Sequence, residues 1–359
     1  MNAADAPSSP PPPRVAERLL IDGWPTLIGP MSPRRVLCTS LGRAQLARVA
    51  AERHAEAAVD CYFLDRYQAT LAEHSDGQRP SNVTIRCEAD FAGEASLDVA
   101  AIPISSQGEA ELVREQLQQA YDLLSADGLL LTATDNPRDV WLAEVTAELG
   151  GTVRRIPRDD GVVYVVRKTV PLRRRRDFTG RFAFRHQGRL FQALSRPGVF
   201  SHRRMDPGAR RLLDAMEVAD GMRVLDIGCG WGPVALAAAA AGENVICEAI
   251  DSNARAVACT RANAAANGLS GRVQARLEAA GRTTSPGSFD VAFGNPPYFG
   301  NFRIAALFVD AAFNALRPGG QLVFVTKSPE WYVDALPGRF RSVEILEIKG
   351  YHVVKARRI

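Results

Sequence analysis

Short apolar runs alternate with stretches of helical spacing along most of the chain. RVLCTS (residues 35–40), DCYFLD (60–65), NVTIRC (82–87), LDVAAIPI (97–104) and LLLTAT (129–134) each gather apolar side chains over a strand's length between polar flanks. Between them, QLARVAAERHAEA and EAELVREQLQQAYDLL space their apolar residues three and four apart, as one face of a helix does. The second half repeats the plan. MRVLDIG (222–228), NVICEAID (244–251), RVQARL (272–277), FDVAFG (289–294) and QLVFVT (321–326) read as strands, with PVALAAAAAG, ARAVACTRANAAANG and RIAALFVDAAFNALRPGG as helical stretches. Strands alternating with helices predict parallel sheets covered on both faces.

The two halves correspond in order. RVLCTSLG matches RVLDIGCG, CYFLDRYQATLA matches CEAIDSNARAVA, SLDVAAIPIS matches FDVAFGNPPY, and LLSADGLLLTAT matches ALRPGGQLVFVT. The pattern predicts an internal duplication and an α/β fold of two tandem Rossmann-like domains. The copies are chemically unequal. Ser40, Gly42 and Ala44 stand where the second copy has Gly228, Gly230 and Gly232, and Ile102-Pro103-Ile104-Ser105 stand against Asn295-Pro296-Pro297-Tyr298. The first copy is therefore expected to be a degenerate domain that binds or scaffolds.

Composition divides the chain further. Residues 1–14 are small, polar and proline-rich, the mark of a disordered tail. Residues 166–211 carry 14 basic and two acidic groups, so the net charge of +4 is concentrated in mid-chain. The expected domains are then 15–170, a basic linker over 171–190, and 191–359. Such a basic block favours a polyanion as partner, although a charge run also serves as a solvated linker. Six scattered cysteines without a C-x-x-C pair, and five dispersed histidines, predict no metal site and no disulfide framework. No run reaches the roughly 18 apolar residues of a membrane span and the start lacks a signal pattern, so a cytoplasmic protein is expected. A monomer is the preferred expectation.

Two motifs carry the candidate chemistry. In VLDIGCGWG, Asp226 ends an apolar strand and Gly228, Gly230 and Gly232 follow at alternate positions. Glycine lets the backbone turn sharply and approach a ligand, though tight strand–helix packing asks for it too. The spacing differs from the dinucleotide fingerprint, and an acidic residue ahead of the turn suits a cationic ligand better than a pyrophosphate. S-adenosylmethionine has an ammonium beside a sulfonium. Asp251 ends the next strand 23 residues after Gly228, where a carboxylate can accept from ribose hydroxyls or cap the following helix. Glu278 follows the third strand, where an adenine contact is expected. In the second motif, FGNPPYFG, the proline pair stops the strand and stiffens the turn. Asn295 is thus held still as a planar amide acceptor, with Tyr298 as a stacking face.

In this order, DIGCGWG, Asp251, NPPY and LRPGG resemble a class I S-adenosylmethionine-dependent methyltransferase that modifies planar nitrogens. PGVFSHRRMDPGARRLL (197–213) and the closing GYHVVKARR resemble the bacterial ribosomal RNA guanine-N2 methyltransferase family, the RsmC-like and RlmG-like proteins. Tyr298 stands where that family has phenylalanine. The resemblance implies two tandem methyltransferase domains, the first degenerate, and methyl transfer to guanine N2 in ribosomal RNA or a ribosomal subunit. Asn295, Pro296, Pro297 and Tyr298 would carry catalysis, and Phe200 and Ser201 would close over the methionine end of the cofactor. Arg173, Arg174, Arg175, Arg176, Arg181, Arg185, Arg203 and Arg204 are the expected RNA contacts, because RRRRDFTGRFAFRHQGRLF interleaves basic and aromatic residues. NPPY also suits adenine N6 or protein glutamine N5 as acceptor, and a non-catalytic RNA-binding assembly factor is the reading from another class.

Overall fold

The computed structural model describes residues 11–75, 79–93, 96–297 and 302–359. The expected tail lies, over residues 1–10, outside the described residues. Two compact units join between Phe178 and Thr179.

The first unit runs α1 (Val15–Ile28), β1 (Arg35–Thr39), α2 (Gln45–Arg53), β2 (Ala58–Phe63), α3 (Arg66–Glu73), β3 (Val83–Cys87), β4 (Leu97–Ile104), α4 (Ala110–Leu123), β5 (Leu124–Thr134), α5 (Trp141–Ala147), β6 (Thr152–Arg158) and β7 (Gly161–Arg167). Its sheet has the order β3-β2-β1-β4-β5-β7-β6. Strands β1 to β5 are parallel, and the β6–β7 hairpin closes one edge antiparallel.

The second unit opens with a hairpin, β8 (Gly180–His186) and β9 (Arg189–Ser195). It continues α6 (Pro207–Asp214), β10 (Arg223–Ile227), α7 (Pro233–Ala239), β11 (Ile246–Asp251), α8 (Ala254–Ala266), β12 (Val273–Leu277), β13 (Phe289–Gly294), α9 (Arg303–Ala315), β14 (Leu316–Thr326), α10 (Glu330–Ala335), β15 (Phe340–Ile348) and β16 (Tyr351–Arg358). The order β12-β11-β10-β13-β14-β16-β15 repeats the first sheet strand for strand. The expected pair of Rossmann-like domains is present. In each sheet the strand order reverses between two central neighbours, β1 and β4 or β10 and β13, and ligands of open α/β sheets bind at the carboxyl ends of such strands.

Four of the five β10 residues and five of the six β13 residues are buried. A strand covered by helices on both faces needs that continuous apolar run, which is why the sequence showed it. Helix starts are equally local. Asp65 accepts from the Gln68 N–H ahead of α3, and Asn253 from Arg255 and Ala256 ahead of α8.

Two expectations need correction. The basic linker ends at Phe178, because residues 180–195 are the β8–β9 hairpin. Its alternation has period two: Arg181 and Arg185 are exposed, while Phe184 stacks on Phe191 at 4.8 Å and both Phe182 and Phe184 set an edge against Trp231. The interleaved aromatics are core residues. The second correction is one of register. Asp98 accepts from the Arg34 and Arg35 N–H groups and Asp290 from Arg223 N–H, and β1 and β10 align Val36 with Val99 and Val224 with Val291. Asp98 therefore corresponds to Asp290, and Asn295 corresponds to Pro103 of the first copy rather than to Ile102.

Candidate functional site

Strand pairing brings the glycine turn, Asp251, Glu278 and Asn295 to one edge of the second sheet. Ile227 pairs with Gly294, and Asp251 pairs with Leu277, so residues 228, 251, 278 and 295 all leave the sheet at its carboxyl end. The turn is built on left-handed backbone, with φ of +71° at Gly228, +58° at Gly230 and +90° at Gly232. A Cβ at Gly228 would stand 2.8 Å from Phe308, and one at Gly232 would stand 2.9 Å from Thr260. At Gly230 the space a Cβ would enter is open, so there the backbone itself forms the floor of the site.

Asp251 Oδ2 accepts the Gly230 N–H at 2.9 Å and its Oδ1 accepts the Asn253 N–H at 2.8 Å. The same carboxylate thus ties the turn to the start of α8. Glu278 donates its N–H to the Asp251 carbonyl, while its side chain accepts the Ala280 N–H at 2.7 Å and lies 3.5 Å from Arg282. Asp226 is not at the mouth. Its carboxyl is 3% exposed and accepts the Ala235 N–H at 3.1 Å, bracing the first turn of α7 from below. Burial pushes this carboxyl up to about 7, with Asp251 adding to the shift.

Asn295 leaves β13 beside the start of α6. Its Nδ2 donates to Asp206 Oδ2 at 2.8 Å, and the same oxygen accepts the Ala209 N–H at 2.9 Å as the cap of α6. Pro296 is buried and Pro297 half-buried; Tyr298 lies outside the described residues. The loop carrying Phe200 and Ser201 is anchored to α8, where Asn253 Nδ2 donates to the Gly198 carbonyl at 2.6 Å and the buried Arg255 to the Pro197 carbonyl at 2.9 Å. Phe200 is 69% exposed, and Ser201 Oγ lies 3.5 Å from Asp206 Oδ1.

The arginines divide between the two units. Arg173 to Arg176 belong to the first unit, where Arg176 lies 3.5 Å from Glu148. In the second unit Arg181 and Arg185 are on β8, and Arg203 and Arg204 are exposed in the segment before α6. Among the described residues no group of three metal-ligating side chains occurs, and no helix is long and apolar enough to cross a membrane.

Sequence reasoning missed Asp206, Asn253, Arg255 and Thr260, whose hydroxyl donates to the Gly230 carbonyl at 2.9 Å. Asp206-Pro207 and Asn253 were readable as helix starts. Nothing local announced that the first would meet a side chain 89 residues away.

Residues 191–355 match the family model of the methyltransferase small domain. Curated relatives named ribosomal RNA small subunit methyltransferase C include those of Pseudomonas entomophila, 31% identical over 46% of this chain and 51% of the relative, and Shewanella loihica, 33% identical over 45% and 47%. The chain thus spans about half the length of the curated relatives it matches. Among solved structures, the T. thermophilus 16S rRNA N2 methyltransferase RsmC, in complex with AdoMet and guanosine, has a TM-score of 0.76 at 23% identity, covering 97% of this chain and 94% of that one. That likeness extends the shared fold to the first unit, which the family model does not reach. Residues 191–355 thus match the methyltransferase small domain by sequence, and the chain as a whole shares the fold of the T. thermophilus protein.

Proposed function

We propose that the chain transfers the methyl group of S-adenosylmethionine to the exocyclic N2 of a guanine in ribosomal RNA. The observation that carries this reading is the meeting, at one sheet edge, of an open glycine turn with a planar amide held on a proline-stiffened strand end. The curated relatives' names and the guanosine bound to the T. thermophilus protein agree with it.

The open floor at Gly230 and the carboxylate of Asp251 beside it fit the cofactor, with Asp251 accepting from ribose hydroxyls and Glu278 lying toward the adenine. S-adenosylmethionine supplies a methyl carbon on a sulfonium, a neutral thioether being the leaving group. Guanine N2 is a poor nucleophile because its lone pair is delocalised into the ring. Asn295 Oδ1 and the backbone carbonyl beside the prolines would accept the two amino hydrogens and aim the lone pair at that carbon. Alignment then supplies most of the acceleration, as it does wherever two reactants are held in attack geometry. The methylated nitrogen afterwards loses one proton, which water can accept. Phe200, exposed on a loop anchored to the start of α8, would close over the cofactor, and Tyr298 would stack on an unstacked base.

In this reading the RNA backbone runs along Arg181, Arg185, Arg203 and Arg204 in the second unit, and Arg173 to Arg176 add phosphate contacts from the first. The first unit has given up chemistry, since Pro103 stands at the place of Asn295 and Cys38 at that of Asp226. Its role is to bind or scaffold.

The test is transfer of radiolabelled methyl from S-adenosylmethionine to ribosomal RNA from a strain lacking the gene, followed by digestion to nucleosides. Label is expected in N2-methylguanosine, falling about a thousandfold in Asn295→Ala, as removal of a positioned polar group in a transition state does. Label in another nucleoside, or in protein alone, would move the acceptor to adenine N6 or glutamine N5.

A further inference from the structure

We propose that Asp206 is a positioning residue that fixes which end of the Asn295 amide faces the acceptor nitrogen. This rests on the guanine-N2 reading given above. An asparagine amide presents an acceptor at one end and two donors at the other, and a half-turn about its last bond exchanges them. Only the oxygen can receive an amino hydrogen. With the nitrogen forward, N–H would oppose N–H and the acceptor amine would be turned away.

Three features hold the productive orientation. Asp206 Oδ2 receives Asn295 Nδ2 at 2.8 Å, and an ionised carboxylate has only acceptors, so the amide nitrogen must face it and Oδ1 must point away. That oxygen is itself pinned, because it receives the Ala209 N–H at 2.9 Å as the N-cap of α6. Gly208 lets the helix start lie flat on the amide: a Cβ there would stand 2.9 Å from Asn295 Oδ1 and 2.9 Å from Asp206 Oδ2. Pro296 restricts the backbone of Asn295 to extended conformations, leaving side-chain rotation as the freedom that needs a lock. The first unit supplies a control. Its residue at this place is Pro103, and Arg14, the residue before α1, has a side chain that caps nothing.

The proposal is tested on the full chain with Asp206→Ser and Asp206→Asn. Serine keeps a cap oxygen for α6 but offers no carboxylate, so the thermal midpoint should hold while kcat for N2-methylguanosine formation falls roughly 10- to 100-fold, the effect of one charge-assisted hydrogen bond. Asparagine retains an oxygen that can accept from both the helix and the amide, and should recover part of that loss. Cofactor Kd should stay within about twofold of wild type in both, as the lock acts on the acceptor side. Independently of any substrate, the Asn295 side-chain amide signals in ¹H–¹⁵N spectra should shift in Asp206→Ser. Unchanged kcat and unchanged amide signals in Asp206→Ser would overturn the proposal. So would equal losses in both variants, or a loss that appears in cofactor Kd. A wild-type protein that makes no N2-methylguanosine while its amide signals respond to Asp206→Ser would instead sink the guanine reading and leave the contact standing.

Discussion

The same turn, after the first strand of each sheet, is braced by a carboxylate from two different places. In the second unit Asp226, on β10 itself, reaches up to the Ala235 N–H. In the first unit that position is Cys38, and the carboxylate comes instead from Glu17 on α1. It accepts from Ser40 Oγ at 2.8 Å, Leu41 N–H at 3.0 Å and Leu46 N–H at 3.2 Å. Ser40 Oγ in turn accepts the Gly42 and Ala44 N–H groups, both at 3.0 Å. The first turn is filled by its own side chains, whereas the second keeps open space at Gly230 and sends that N–H to Asp251. A fold can therefore keep its strand order and a buried carboxylate while changing which side chains the turn bonds to.

Removing the substitute carboxylate tests this most severely. Glu17→Ala leaves Ser40, Leu41 and Leu46 without their shared acceptor, and unpaired buried groups of this kind cost about 1–3 kcal/mol each before relaxation. A loss of about 3 kcal/mol is expected. Hydrogen exchange should report it in β1 and α2 and spare β10 and α7. Equal acceleration in both units would mean that the two turns are not independently braced.

Importing the first unit's residue into the second has a smaller effect. Gly228→Ser must hold φ at +71° with a Cβ that meets Phe308 at 2.8 Å. Left-handed backbone costs a non-glycine residue about 1–2 kcal/mol, and Phe308 must also move. Thermal unfolding should show a loss of about 2 kcal/mol with weaker cofactor binding, and a neutral result would remove the steric reason for glycine here.

The mildest change concerns pH. Burial raises the Asp226 carboxyl from its ordinary range to about 7, so the folded state holds a proton that the unfolded chain has already lost. Stability from this site is full below about pH 4 and declines as pH rises to about 7. Asp226→Asn keeps an acceptor for Ala235 and abolishes that decline. The variant should match wild type near pH 4 and be the more stable of the two at pH 8, to be read from denaturant midpoints. Glu17 is also raised by burial, and the Cys38 copy should show the same sign of pH dependence through that residue.

Sequence alone determined the alternation, the duplication and the two motifs. Buried parallel strands must be continuously apolar, glycine must occupy the left-handed turn, and proline must end a strand, so each of these is written in adjacent residues. The GRFAFRHQGRLF stretch shows where that reading fails: basic and aromatic residues alternate equally in an RNA groove and in a two-residue strand repeat, and only Trp231 beneath the hairpin turned the rings inward. The one-residue slip between Ile102 and Pro103 has the same origin, because strand register is set by neighbouring strands. Tertiary structure alone decided that Glu17 replaces Asp226, that Asn253 ties down the loop of Phe200, and that Asp206 meets Asn295. Those contacts join segments far apart in the chain, and a hydrogen bond between them exists only once the sheet has brought both ends to one edge.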